Sequence, residues 1–371
     1  MSRTSPSPRG AADTAASERV ARVVRPEIRA LSAYTVAKAQ GMVKLDAMEN
    51  PYPLPSQVRA SLDAALAGVA VNRYPDGPAS APRVALRRAL AVPEDLEILL
   101  GNGSDELIQI VATALARPGA AVLAPEPSFV MYARSALLAG LRFVGVPLAR
   151  DFSLDRAAML AAIQRERPAV IFIAYPNNPT GNLFARADVD AVLDAAPGLV
   201  VVDEAYYAFS DASFLGDLGR RPNLLLLRTV SKIGMAGMRL GYAIAAPEWI
   251  AELDKVRPPY NVNAFTQAAA VELLTETDWI ADQARAIRAE RARLEAALAC
   301  LSEVAVFPSQ ANFVLARVRD ADAAFAGLSD RGILVKNLHG WHPLLANCLR
   351  ITVGTPREND ALLGVLAEAA R

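Results

Sequence analysis

Residues 170–206 read VIFIAYPNNPTGNLFARADVDAVLDAAPGLVVVDEAY, and the fold turns on this stretch. Val170–Ala174 and residues 199–202 are unbroken apolar runs of strand length, the pattern of strands covered on both faces. Between them, about Arg186–Ala195, the spacing predicts a helix. Strand, helix and strand in so short a span form a crossover unit joining two parallel strands. Polar residues stand where each strand stops. Tyr175-Pro176-Asn177-Asn178-Pro179-Thr180-Gly181 ends the first, and Asp203-Glu204-Ala205-Tyr206 ends the second.

Outward from this unit the same alternation continues. Residues 121–124, 143–148, 224–228 and 242–245 read as further buried strands, with helices at 104–116 and 154–165. The whole is expected to be an α/β fold, with a mostly parallel sheet covered by helices. Ligands of such sheets bind beyond the carboxyl ends of the strands. From about residue 264 the pattern changes. A long helix is expected through 285–301, short strands at 304–307, 313–316, 333–335 and 349–353, and a closing helix. This describes a smaller α+β domain. On the other side, residues 33–48 are expected to be extended, and Ser56–Ala67 to be helical. The expected organisation is a disordered tail at 1–25 and an N-terminal arm with part of the small domain at 26–70. The large domain takes 71–262 and the small C-terminal domain 263–371.

The 371 residues are 53% hydrophobic and carry 39 Lys+Arg against 39 Asp+Glu, a formal net charge of zero. That balance favours neither nucleic acid nor an anionic membrane as partner. Two cysteines, Cys300 and Cys348, give no disulfide framework and no metal spacing. His339 and His342 are the whole histidine complement, which excludes a histidine-rich metal site. Their place in one loop suggests a structural or rim role. No apolar run reaches the ~20 residues of a membrane span. The start lacks the apolar core of a secretory signal, so a cytoplasmic protein with reduced thiols is expected.

Four segments carry candidate chemistry. Gly101-Asn102-Gly103-Ser104-Asp105-Glu106 follows an apolar run and opens a helix. Glycines allow close backbone approach and helix-start N–H groups favour a phosphate, though a plain capping turn would use the same residues. In the Tyr175–Gly181 loop, Asn178 can present its amide to the crevice. Asp203, at the end of a buried strand, needs a partner. It is either a strand-end cap or the counter-charge of a cation such as a pyridinium nitrogen, with Tyr206 near a ring hydroxyl. Thr229-Val230-Ser231-Lys232, followed by Gly234 and Arg239, places a lysine just past a buried strand. Loss of hydration there can make its amine a nucleophile, while Ser231 and Arg239 can hold a phosphate.

In this order, the segments resemble those of the fold-type-I pyridoxal-phosphate enzymes, and specifically the class I/II aminotransferases, over nearly the whole chain from about residue 26. The resemblance implies that Lys232 holds pyridoxal 5′-phosphate covalently and later moves the substrate proton. Asp203 would pair with the ring nitrogen, and Asn178 and Tyr206 would contact the ring oxygen. Ser104, Asp105, Ser231 and Arg239 would hold the cofactor phosphate. Pro127-Ser128-Phe129-Val130-Met131-Tyr132 is similar to the loop that stacks an aromatic on the ring, with Phe129 where many relatives have Tyr. Asn72-Arg73-Tyr74-Pro75 is similar to the segment whose tyrosine reaches the neighbouring subunit's cofactor phosphate, which implies a homodimer with shared active sites.

Cys348-Leu349-Arg350-Ile351-Thr352-Val353-Gly354-Thr355, with Leu31-Ser32-Ala33-Tyr34, is similar to the branch of that family acting on L-histidinol phosphate and 2-oxoglutarate in histidine biosynthesis. Arg350 would then bind the carboxylate of glutamate or 2-oxoglutarate. Tyr34 and Lys336 would serve the substrate phosphate, with Lys336 where many relatives carry Arg. Lys lacks the bidentate fork of Arg. The alternatives are an aromatic amino-acid aminotransferase, a threonine-phosphate decarboxylase, or a cofactor-binding regulatory module. The last needs an attached DNA-binding domain, which the short segment before Pro26 does not supply.

Overall fold

The apolar runs become seven strands of one sheet. These are β1 (Glu97–Gly101), β2 (Ala121–Glu126), β3 (Arg142–Pro147), β4 (Val170–Ala174), β5 (Leu199–Asp203), β6 (Leu224–Thr229) and β7 (Gly241–Ala245). Their order across the sheet is β1-β7-β6-β5-β4-β2-β3. β7 runs antiparallel to both its neighbours and every other pair is parallel. The computed structural model describes residues 8–33, 37–275 and 277–369. It divides into two compact units, Met1–Gln40 and Gly41–Arg371, and the sheets lie in the second.

β4, β5, β6 and β7 are buried at every residue, which is why they read as continuous rather than alternating. Alternation still sorts their faces. Ile171, Ile173, Val200, Val202, Leu224 and Leu226 enter one core. Phe172, Ala174, Leu199, Val201, Leu225 and Leu227 enter the other. Each of the Ile, Val, Leu and Phe side chains among them contributes about 1.5–3 kcal/mol when fully buried, so the sheet is rigid where the strands end. The register aligns Ala174 with Asp203 and Gly101 with Gly241 and Thr229. The ends carrying the candidate chemistry therefore fall along one edge, at the carboxyl ends of the parallel strands.

The C-terminal part forms a second, four-stranded antiparallel sheet. Its order is Lys336–Asn337, Cys348–Thr352, Phe313–Arg317 and Ala305–Phe307. Helices Asp278–Ala299, Ala321–Asp330 and Pro356–Ala369 accompany it, and Leu294, Leu298, Phe313, Ile351 and Leu362 share its core. Val43–Lys44 pairs in parallel with Ile333–Leu334, so residues 41–48 run beside this sheet. Within the stretch expected to be extended, that pair is the strand among the described residues. The run at 333–335 splits between two sheets, because Val335 separates the two pairings.

Within the segment expected to be a disordered tail, Pro8–Val23 is a helix, and residues 1–7 lie outside the described residues. The segment is rich in alanine and straight-chain residues, which favour helix even without burial, and Pro8 suits the first helical position. The described side chains from Ala15 to Val23 are exposed. No helix among the described residues is long and apolar enough to cross a membrane.

Candidate active site

A cavity of about 400 Å³ opens at the carboxyl edge of the large sheet. Ser104, Asp105, Phe129, Asn178, Asp203, Tyr206, Ser231, Lys232 and Arg239 all line it. Each is placed by the end of a strand or by the turn that follows.

Asp203 is the last residue of β5 and is buried. Its carboxylate accepts hydrogen bonds from Tyr132 Oη at 2.7 Å and from the Ala205 N–H at 3.1 Å. Burial raises its pKa to about 6, and these two bonds hold it from rising further. Tyr132 is fixed in turn by stacking on Phe172 with ring centroids 4.7 Å apart, and Phe129 meets it edge-on at 5.6 Å. On the far wall, Asn178 Nδ2 donates to Tyr206 Oη at 3.1 Å. Arg350 Nη1 donates to Asn178 Oδ1 at 2.6 Å, and Arg350 Nη2 to the Asp46 carbonyl at 2.8 Å. Arg350 thus lies behind Asn178 and fixes which way its amide faces.

Lys232 Nζ reaches the cavity and donates to the Ala47 carbonyl at 3.2 Å. Removal from water lowers its pKa to about 8, helped by repulsion from Arg350 and opposed by Asp105 and Glu49. A substantial neutral fraction near physiological pH follows, as a nucleophile or proton carrier requires.

The phosphate end is built by close packing. Gly103 has φ +83°, and a Cβ there would lie 2.6 Å from Arg239 Nη2. A Cβ on Gly241 would lie 2.5 Å from the Gly103 carbonyl carbon and the Ser104 nitrogen. Only glycine lets this turn, the strand beside it and the guanidinium come so close. Arg239 itself adopts φ +51°, an uncommon conformation that directs its side chain back to the turn. Arg239 Nη1 lies 3.5 Å from Ser231 Oγ, which takes a 2.9 Å bond from Thr229 Oγ1. No side chain caps the helix Ser104–Ala114, so its first N–H groups face the same cradle. Burial raises the pKa of Asp105, and Arg239 and Lys232 pull it down. Since a carboxylate repels a phosphate, Asp105 would serve an anion through its helix-start N–H.

Of the expected residues, Arg350 lies behind Asn178 and two others also do not line the cavity. Tyr74 is 81% exposed and stacks on Tyr260 at 4.7 Å rather than lining the cavity. Lys336 does not line it either, but pairs across the small sheet with Arg350. Tyr34 lies outside the described residues. His339 and His342 are loop acceptors. His339 Nδ1 takes the Asn347 N–H at 3.0 Å, and His342 Nδ1 takes the Leu344 N–H at 3.2 Å.

Sequence reasoning missed Tyr132 and the wall formed by Ala47, Met48 and Glu49. Tyr132 closed the quoted aromatic loop, but nothing local shows its hydroxyl reaching Asp203. The wall had a weaker signal, the punctuation of Glu49-Asn50-Pro51. It is fixed by Met48, whose N–H donates to Thr352 Oγ1 at 2.9 Å and whose carbonyl accepts from Asn312 Nδ2 at 2.9 Å.

These residues fit the cofactor expected from the sequence. Asp203 is a buried carboxylate with two neutral donors, and a protonated ring nitrogen is the charge it lacks. The Gly103–Ser104 turn, Ser231 and Arg239 form an anion cradle, and Lys232 brings a partly neutral amine to the same cavity. No cluster of three or more metal-ligating residues occurs among the described residues.

Residues 40–366 match the family model for aminotransferase class I and II, and the chain belongs to that family. A histidinol-phosphate aminotransferase of Chromobacterium violaceum is 59% identical over 94% of this chain and 98% of its own length. Histidinol-phosphate aminotransferase 1 of Ralstonia nicotianae is 57% identical over 93% of this chain and 94% of its own. The histidinol-phosphate aminotransferase of Sinorhizobium meliloti, solved in complex with pyridoxal-5′-phosphate, superposes with a TM-score of 0.83. It is 26% identical and covers 94% of this chain and 98% of its own.

Proposed function

We propose that the chain transfers the amino group between L-histidinol phosphate and 2-oxoglutarate, giving imidazole acetol phosphate and glutamate, with pyridoxal 5′-phosphate as cofactor, in L-histidine biosynthesis. The observation that carries the reading is the identity of 57–59% over nearly the whole chain with relatives of that name. Lys336 and Arg350, neighbours across the small sheet, would together give a phosphate-bearing substrate its counter-charge.

Bound, the cofactor supplies an electron sink that lets the Cα–H bond of an amino substrate ionise. The chain's residues do the rest. Lys232 would hold the cofactor and, once freed, its Nζ would carry the proton from substrate Cα to cofactor C4′, with the reverse move in the second half-reaction. Asp203 would stay ionised against the ring-nitrogen proton, with Tyr132 fixing its orientation. Phe129 would pack against the ring, and Asn178 and Tyr206 would hold the ring oxygen. Ser104, Asp105, Ser231 and Arg239 would hold the phosphate. Arg350 receives the carboxylate of glutamate or 2-oxoglutarate in one half-reaction. With Lys336 it receives the substrate phosphate in the other, and Tyr34 is the arm residue assigned to that phosphate. Two half-reactions on one site imply ping-pong kinetics.

The enzyme is read as a cytoplasmic homodimer. Tyr74, exposed on its own subunit, would reach the cofactor phosphate of the other. Titrating the cofactor-loaded protein with L-histidinol phosphate, without acceptor, tests the reading. The visible band of the lysine-bound cofactor should give way to the near-ultraviolet band of the aminated form, and 2-oxoglutarate should restore it. Conversion by phenylalanine but not by histidinol phosphate would reassign the chain to aromatic substrates.

A further inference from the structure

The substrate cations pose a physical difficulty. Lys336 stands directly opposite Arg350 on adjacent antiparallel strands, and like charges so placed repel. Arg350 cannot yield, because Asn178 and the Asp46 carbonyl hold its two terminal nitrogens at 2.6 and 2.8 Å. Lys336 has a long flexible stem and a strongly hydrated head, so it would swing to solvent unless something keeps it in place. Two groups act to keep its ammonium there, the Asp46 carboxylate, which attracts it through space, and the indole of Trp341, whose ring centroid is 4.9 Å from Nζ and over whose face it lies.

The loop that carries this indole is tied at several points. Trp341 N donates to the Leu338 carbonyl at 3.1 Å. The His339 N–H donates to Asn337 Oδ1 at 2.9 Å, and Asn337 Nδ2 donates to Asp322 Oδ1 at 2.6 Å. The Nδ1 atoms of His339 and His342 take backbone N–H groups on the loop's returning side. Trp341 is 53% exposed, so its place is not set by burial in a core. What its ring face meets is a cation, and the face of an indole is the strongest of the aromatic faces for that contact.

We propose that Trp341 is a positioning residue whose ring holds the Lys336 ammonium beside Arg350, so that both cations meet the phosphate of the substrate together. This rests on the functional reading above, in which that pair receives the phosphate. It accounts for how a lysine, lacking the fork of arginine, is kept aimed at an anion. His339 and His342 then serve the phosphate indirectly, through the loop.

Steady-state kinetics of the cofactor-loaded enzyme test it, using Trp341→Ala, Trp341→Phe and Lys336→Ala. In Trp341→Ala the KM for L-histidinol phosphate should rise about 2- to 5-fold, the range of one exposed cation–π contact, with kcat nearly unchanged. KM for unphosphorylated L-histidinol should not move. Trp341→Phe should recover most of the loss, and Trp341→Ala should add nothing in a Lys336→Ala background. An unchanged KM in Trp341→Ala would overturn the inference while leaving the function intact. Equal losses for L-histidinol and its phosphate, or no recovery with Phe, would also overturn it. A wild-type enzyme inactive on histidinol phosphate would bring down the functional reading and this inference together.

Discussion

Asp203 and Glu204 are adjacent in sequence, both carboxylates and both buried, yet they face different surroundings. Glu204 is saturated. Its carboxylate accepts from Arg228 Nη2 at 2.7 Å, Arg228 Nε at 3.0 Å, Ser213 Oγ at 2.9 Å and the Phe214 N–H at 2.6 Å. Arg228 also lies over the Tyr207 ring at 4.2 Å. Asp203, the last residue of the strand that Glu204 follows, turns to the opposite side of the sheet, has only Tyr132 and a backbone N–H, and its pKa rises to about 6. Across the cavity Lys232 shows the matching deficit, with its pKa lowered to about 8. One face of the sheet completes its ion pair within the chain. The other leaves a carboxylate and an amine apart, each in need of something the chain does not supply. Perturbed groups of opposite sign facing one cavity mark the functional face, whereas a completed pair marks a structural one.

Three variants would break or sharpen that contrast. The largest effect belongs to Lys232→Ala, which removes the amine that holds the cofactor and moves the proton. Transamination should fall below detection in the two half-reactions, while unfolding by urea stays close to wild type. Full activity would remove Lys232 from the chemistry.

Next is Arg228→Met on the structural face. It strands the Glu204 charge and should cost about 3–5 kcal/mol of stability, read from urea unfolding, with turnover per folded molecule nearly unchanged. Adding Glu204→Leu should recover much of the loss, because two apolar groups leave no charge unpaired. A large loss of turnover in the folded fraction would mean that the two faces are not separate.

Asp203→Asn should show two smaller effects of opposite sign. Turnover should fall on the order of 10²–10³-fold, the scale of losing one preorganised electrostatic contact. Stability of the cofactor-free protein should rise. The sign follows from linkage. With a folded pKa near 6 against an ordinary 3.8, the native state binds more protons than the unfolded state between those values. The carboxylate therefore lowers stability progressively as pH rises through that window, by at most about 3 kcal/mol. The gain in Asp203→Asn should be full above pH 6 and fade toward pH 4, as urea unfolding of the cofactor-free protein across that range would show. A uniform loss of stability would contradict it.

Much of the site was legible because its residues lie at strand ends, where local signals are strong. Asp203, Asn178 and Lys232 each follow a buried run within a few residues, so finding the strand finds the side chain. The aromatic loop was legible as a loop, but the bond between Tyr132 and Asp203 spans 71 residues and had no local mark. Arg350 was found by its motif, yet its hold on Asn178 spans 172 residues. The N-terminal segment failed for the opposite reason. Its composition suggested disorder, whereas its alanine content favours a helix, one whose described side chains from Ala15 to Val23 are exposed.

The sequence by itself determined the strand–helix alternation, the chemical kinds of residue at the strand ends and the family pattern they form, because backbone propensity and burial are written in local periodicity. Only the tertiary structure decided which carboxylate would be paired and which left for a cofactor, and that Lys336 would be set against Arg350 and under Trp341. Those outcomes depend on register and on which elements pack together, and charge interactions change sharply over a few ångströms.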